Sequence, residues 1–185
     1  MPWRSWMEIS EIAERERVVL VVPVAGFADH GPDLPLDAEE QILMRVVKEA
    51  SLQRGETRLL VVPPLRFVTG PADGAAFTVE VPVAHAFIDE VCASLAAVGF
   101  RRVVLCNASP WNEELCDAAA RDIRIARGLQ MFCVNLSALE IGFAATEDAE
   151  FAKAGGRLAA LFAEIAGRPA LANDGKLLTM EAPAK

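Results

Sequence analysis

Basic residues are scarce in this sequence. Lys and Arg number 18 against 26 Asp and Glu, which gives a formal net charge of −8, and no stretch is rich in Lys and Arg. Partners such as nucleic acid or an anionic membrane surface are therefore not expected. Every apolar run is too short to cross a bilayer, and the N-terminal residues lack the basic-then-apolar order of a signal peptide. We predict a cytoplasmic protein.

Recognisable cysteine motifs are also missing. The four cysteines are Cys92, Cys106, Cys116 and Cys133, and their spacings match no zinc-ribbon or CxxC pattern. Because free Cys is commonly buried, we expect reduced, structural thiols. Cys106 ends a predicted strand beside a candidate site loop, so a reactive thiol is the alternative there.

Continuous apolar segments alternate with helical patterns along the chain. Apolar runs without alternation are typical of strands covered on both faces, and the patterns between them have the spacing of amphipathic helices. The predicted strands are Arg17–Pro23, Arg58–Pro63, Arg101–Cys106 and Gln130–Asn135, and the predicted helices are Asp37–Leu52, Val83–Val98, Trp111–Ala126 and Gly156–Ala166. This alternation predicts an α/β fold, with three α/β/α layers and a mostly parallel central sheet.

The length predicts one domain. A chain of 185 residues is long enough to bury a full core and short for two. We therefore predict a single domain over residues 1–185, with residues 166–185 as a C-terminal surface tail.

Two loops qualify as a site, because ligands in such folds bind at the carboxyl ends of the strands. The first follows the first strand and contains one of the two histidines, His30, among several carboxylates. The second, residues 107–112, follows the third strand and reads Asn-Ala-Ser-Pro-Trp-Asn. A histidine with carboxylates in a Gly/Pro-rich loop suits a divalent metal ion.

The order of motifs resembles the creatininase (creatinine amidohydrolase) family. The first loop keeps the family's His-Gly-Pro as residues 30–32 and its Leu-Pro-Leu as residues 34–36, and Glu39 stands for the family's Asp. Pro-Pro-Leu follows at residues 63–65, and Gly-Phe-Arg-Arg-Val-Val-Leu at residues 99–105 precedes the second loop. The resemblance implies a creatininase-like fold, a metal-dependent hydrolase of cyclic amides or related C–N bonds with Zn or Mn, and a homo-oligomer, often a hexamer.

Several residues that the family uses as metal ligands are replaced. Ala28 stands where the family has a Glu, Ser109 replaces the His of its Asn-Gly-His loop, and Trp111 occupies a position that is Glu in some members. The family's His-Ala-Gly-Glu segment should fall near residues 141–146 but is not found there. A catalytic zinc needs about three protein ligands and an open position.

Only His30 and Glu39 keep ligand-type side chains at matched positions. Each has a structural alternative: His30 as a residue that hydrogen-bonds its loop, and Glu39 as a first-turn acid favoured by the helix dipole. Three further carboxylates are candidate ligands if the loop is rearranged, although the simplest role for the last of them is a helix N-cap: Asp29, Asp33 and Asp37.

The sequence therefore supports two functions. We favour a family member with a degenerate metal site and no bound metal, which acts as a small-molecule-binding or structural subunit, either as a homo-oligomer or as the partner of a paralogue. The alternative is a hydrolase with a remodelled Zn or Mn site around His30 and Glu39. Five residues are predicted to line the pocket, none of them assigned a catalytic role: Ala28, Asn107, Ser109, Trp111 and Asn112.

Overall fold

The computed structural model of this protein describes residues 6–169. Its central sheet consists of the strands β1 (Val19–Val24), β3 (Leu59–Val61), β5 (Arg102–Asn107) and β6 (Gln130–Asn135). Their order is β3-β1-β5-β6, and each neighbouring pair is parallel. Strands β1 and β5 are buried along their whole length, as their uninterrupted Val and Leu runs predict.

Helices cover both faces of the sheet and complete three layers. Helices α2 (Ala38–Gln53) and α5 (Asp148–Gly167) pack with one set of strand side chains, which includes Val19, Val21 and Val104. Helices α3 (Val81–Ala97) and α4 (Glu113–Arg127) pack with the alternate set. The predicted α/β/α architecture is confirmed. A short helix α1 (Trp6–Ser10) precedes the sheet, and within residues 6–169 no helix is both long and apolar enough to cross a membrane.

The boundaries of most elements differ from the prediction by one to three residues. The exception is α5, predicted to begin at Gly156, which begins at Asp148. Two glycines in its middle obscure the helical pattern, because glycine weakens a helix. The helix also extends to Gly167, so the predicted tail from residue 166 is wrong at its start; residues 170–185 lie outside the described part of the chain.

A small antiparallel pair was not predicted. Strands β2 (Phe27–Ala28) and β4 (Ala75–Ala76) are two residues each, too short for a pattern of alternation. They fasten the loop after β1 to the segment between β3 and α3. The pair determines where the chain continues towards His30.

Candidate functional site

The two loops predicted to form a site meet at the carboxyl edge of the sheet. Val24 at the end of β1 lies in register with Asn107 at the end of β5. The N–H of Ala108 donates to the carbonyl oxygen of Val24 at 3.0 Å, which joins the first residues of both loops. The predicted juxtaposition therefore follows from adjacent parallel strands.

Glu39 lies in the first turn of α2, but its side chain points into the protein. It is fully buried, and its Oε2 accepts a hydrogen bond from the N–H of Gly26 at 2.5 Å. Its Oε1 accepts one from Nε2 of His30 at 3.0 Å. Glu39 is therefore a first-turn acid of α2, as one of the two alternatives predicted, and both of its carboxylate oxygens also have partners in the loop after β1.

The ring of His30 is enclosed by aromatic residues. Its centroid lies 3.9 Å from that of Phe143 and 5.4 Å from that of Trp111, and its side chain is only 9% exposed. Phe143 comes from the segment between β6 and α5, where the resembled family was expected to supply a carboxylate. An aromatic ring therefore lies against the histidine at that place.

The second loop is a network of amides and a hydroxyl. Nδ2 of Asn107 donates to the Ser109 carbonyl oxygen at 2.8 Å and to Oδ1 of Asn135 at 3.0 Å. Nδ2 of Asn112 donates to Oγ of Ser109 at 2.9 Å. Thr69 completes the network, since its N–H and its hydroxyl both donate to Oδ1 of Asn112.

Most of the residues predicted to line a pocket are buried. Ala28, Asn107, Ser109 and Asn112 are each at most 2% exposed, whereas Trp111 is 39% exposed. Throughout residues 6–169, every buried side-chain nitrogen or oxygen has a hydrogen-bond partner. The donors and acceptors at this edge of the sheet therefore satisfy one another.

Neither Ser109 nor Cys106 has the surroundings of an activated nucleophile. Oγ of Ser109 accepts a hydrogen bond from Nδ2 of Asn112, and among the hydrogen bonds of residues 6–169 none joins it to His30 or His85, as a serine activated by a base would require. Burial raises the pKa of the Cys106 thiol to about 12, which keeps it protonated at neutral pH.

These features agree with a match to a protein-family model. Residues 4–162 match the model of the creatininase family, described as creatinine amidohydrolase. The chain belongs to the creatininase family. No relative was found among curated proteins.

Solved structures of the family share the fold. A creatininase structure is 19% identical, with a TM-score of 0.62 over 74% of this chain and 57% of its own chain. A manganese creatininase is 21% identical, with a TM-score of 0.60 and coverages of 74% and 57%. A putative creatinine amidohydrolase from Bacteroides fragilis NCTC 9343 is 13% identical, with a TM-score of 0.68 and coverages of 89% and 95%. This chain thus spans a little over half the length of the two creatininases.

The three other carboxylates that were candidate metal ligands do not form a group with His30 and Glu39. Asp29 is exposed and its Oδ1 accepts from the N–H of Gly31 at 2.8 Å. Asp33 is exposed, and Asp37 is at the N-cap of α2, where its Oδ1 accepts from the Gln41 side chain. In the described chain, no three side chains of His, Cys, Asp or Glu are grouped so as to hold a metal ion.

The donor set at this place does not fit the metal that the family implies. Two ligand-type side chains remain, and they are bonded to each other instead of converging on a common point. The positions at which the resemblance places further ligands are occupied by Ala28, Ser109 and Trp111, whose side chains bind divalent ions weakly or not at all. Phe143, which no motif in the sequence indicated, takes up the remaining side of His30.

Proposed function

We propose that this protein is a creatininase-family member that does not carry out metal-dependent amide hydrolysis and that acts as a structural subunit. The observation that supports this most directly is the arrangement of Glu39. Both of its oxygens accept hydrogen bonds, and the histidine beside it is covered by two aromatic rings. Metal-assisted hydrolysis needs a bound ion with an open position for water or substrate, and the paired carboxylate and the covering rings favour a role without one.

The pair of His30 and Glu39 has a structural role in this proposal. It connects the loop after β1 to the first turn of α2, with a third contact at Gly26. A Cβ atom at Gly26 would lie 3.3 Å from Oε2 of Glu39, so glycine lets the backbone reach the carboxylate. A structural subunit is favoured over a small-molecule receptor because the buried polar groups nearby already have partners within the protein.

Metal content tests the proposal. Protein purified without a His-tag is incubated with Zn²⁺ or Mn²⁺, dialysed and measured by elemental analysis. We expect well under one ion per chain, unchanged in a His30→Ala, Glu39→Gln double variant. The control is His85→Ala, which removes the other histidine, on the surface between α3 and α4.

A different result would favour the alternative function. About one ion per chain that is lost in the double variant but kept in the control, together with hydrolysis of a cyclic amide, would indicate a hydrolase with a remodelled site. The third ligand would then come from Asp29, Asp33 or Asp37. Such a result would overturn the structural role.

A further inference from the structure

Exposed apolar side chains concentrate on one surface beside the candidate site. We call this surface the apolar face; its large members are each 40–68% exposed, namely Phe67, Phe77, Val81, Val83 and Phe87. They belong to the segment between β3 and α3 and to the first two turns of α3. Within that segment, the residues beside Phe67 and those beside Phe77 are connected by a hydrogen bond, which the N–H of Val79 donates to the carbonyl oxygen of Val68 at 3.1 Å.

The start of α3 is apolar on its outer as well as its inner side. Ala84 and Ile88 are buried against the sheet, while Val83 and Phe87 point outwards one turn apart. The neighbouring helix α4 instead presents charged residues outwards, including Arg121, Asp122 and Arg124. Large apolar side chains that are exposed together on one surface are typical of interaction sites, so this part of α3 is suited to contact with another surface.

A groove and a projecting side chain lie next to each other on the apolar face. The groove has a volume of ≈ 560 Å³, and its lining includes Thr69, Ala72, Thr78, Glu80, Val81 and Val83. Phe77 adjoins it, is 68% exposed, and makes an edge contact with Phe27 at 5.5 Å between centroids. Its φ of 56° is unusual for a bulky residue. The protein therefore holds an aromatic side chain outwards in a conformation that costs free energy.

The open apolar area is what one side of a stable dimer interface requires. The five side chains of the apolar face expose on the order of 500 Å², if a whole aromatic side chain is taken as about 200 Å². A standard interface covers about 800 Å² per partner, of which somewhat more than half is apolar. The apolar face matches that apolar share.

We infer that the apolar face is the contact between two copies of this chain, in which Phe77 of each copy enters the groove of the other. A two-fold interface uses the same patch on both subunits, and this patch carries both the projection and the recess. Its large members are uncharged, and the groove wall adds one exposed acid, Glu80, so two copies that each carry a formal charge of −8 bring few charges together there. The inference rests on the proposed structural role, and it identifies a second copy of this chain as the partner.

The interface would also reach the candidate site. The hydroxyl oxygen of Thr69, on the groove wall, lies 3.2 Å from the carbonyl oxygen of Trp111, and the Trp111 ring packs on His30. A second copy on the apolar face would therefore cover the turn that carries Trp111. The site would be fully enclosed only in the pair.

Sedimentation or light scattering over a range of concentrations tests the contact. We expect a dimer or a larger even-numbered assembly for the wild type, and a Kd for the contact raised about 30-fold or more by Phe77→Asp and by Val83→Asp, since both would be central in the interface. Leu52→Asp is the matched control, because Leu52 is 70% exposed near the opposite end of the molecule, at the end of α2. It should associate like the wild type.

A disulfide trap tests the reciprocal insertion itself. Mixing a Phe77→Cys variant with an Ala72→Cys variant under mild oxidation should give a heterodimer, while Leu52→Cys mixed with Ala72→Cys should not. A wild type that is monomeric at tens of micromolar, or an assembly unchanged by both Asp variants with normal circular dichroism, would overturn the inference. Neither result bears on metal content, so failure of the interface is distinguishable from failure of the proposed function.

Discussion

Two consecutive glutamates show how position decides the role of a residue. Glu39 is buried and receives hydrogen bonds from Gly26 and His30. Glu40 lies one residue further round the helix and pairs with Arg66, whose Nε and Nη2 donate to it at 2.6 Å and 2.7 Å. The 100° turn between successive helix positions places the first carboxylate in the protein and the second at its surface.

Replacement of the two glutamates should therefore have unequal effects on stability. Glu39→Ala leaves the Gly26 N–H and the His30 ring without an acceptor, and we expect it to lower the free energy of unfolding by roughly 2–4 kcal/mol. Glu40→Ala removes an exposed ion pair and should cost about 0–1 kcal/mol. Urea denaturation measures both, and equal losses would contradict the structural role assigned to Glu39.

The cysteines should be unreactive in the folded protein. Burial is the main cause that raises the pKa of Cys92 and of Cys106 to about 12, and a hydrogen bond with Cys116 raises the pKa of Cys133. Because the neutral thiols are favoured in the fold, this contribution to stability is present at neutral pH and is lost as the pH rises from about 8.5 towards the raised pKa values.

A thiol reagent tests this expectation directly. At pH 8 we expect labelling of the native protein to be slow and labelling in urea to be rapid, with four thiols per chain. Rapid labelling of one thiol in the native protein would identify a reactive cysteine. A Cys133→Ser variant then distinguishes that partly exposed residue from the three buried ones.

At the scale of elements, the closest helix packing depends on a glycine. A Cβ atom at Gly155 of α5 would lie 2.4 Å from Cβ of Glu49 and 2.9 Å from the backbone nitrogen of Ala50 in α2. The two helices cross at this point, and Nε2 of Gln53 donates to the carbonyl oxygen of Ala152 nearby. Only a residue without a side chain permits this approach.

Gly155→Ala should consequently destabilise the protein even though alanine favours helix. The added methyl must separate α5 from α2, and such overpacking costs about 1–3 kcal/mol, more than the gain of up to about 1 kcal/mol in helix propensity. Gly167→Ala, at the end of the same helix with open space around it, should be neutral or slightly stabilising. Thermal unfolding of both variants checks the sign, and a stabilised Gly155→Ala variant would contradict this packing.

Gly155 also shows why one part of the fold, the start of α5, could not be predicted from the sequence. The long Val and Leu runs predict β1 and β5 because their environment is uniform, and adjacent strand ends predict that His30 and the second loop meet. Gly155 and Gly156 interrupt the helical pattern, so the first half of α5 could not be predicted. The reason for these glycines is a close contact with α2, a helix that is distant in the sequence. Phe143 was missed for a similar reason, because its contact with His30 depends on the path between β6 and α5.

Over the whole molecule, the ends of several segments converge on one buried arginine. Arg102, at the start of β5, is 4% exposed, and its guanidinium donates to Oε1 of Gln130 and to the carbonyl oxygens of Ala166 and Arg168 at 3.0, 3.0 and 2.6 Å. It also reaches the carbonyl oxygen of Arg17 before β1 at 3.4 Å. One side chain thus connects the sheet to the end of the last described helix.

Arg102→Met should loosen that end of the molecule. The variant keeps an unbranched buried side chain but leaves several carbonyl oxygens without donors, so we expect a loss of roughly 2–4 kcal/mol in the free energy of unfolding. Hydrogen exchange should become faster at the last turn of α5 and at the start of β6, while the His30 region, at the opposite edge of the sheet, keeps its protection.

The control is Arg101→Met, since Arg101 bonds only to the nearby carbonyl oxygens of Ala96 and Phe100 among the contacts described. If both variants lose the same stability and exchange uniformly, Arg102 does not couple the C-terminal helix to the sheet. If exchange rises only near residues 130 and 160–168 in the Arg102 variant, the family fold is held at this edge by backbone carbonyls gathered around one cation.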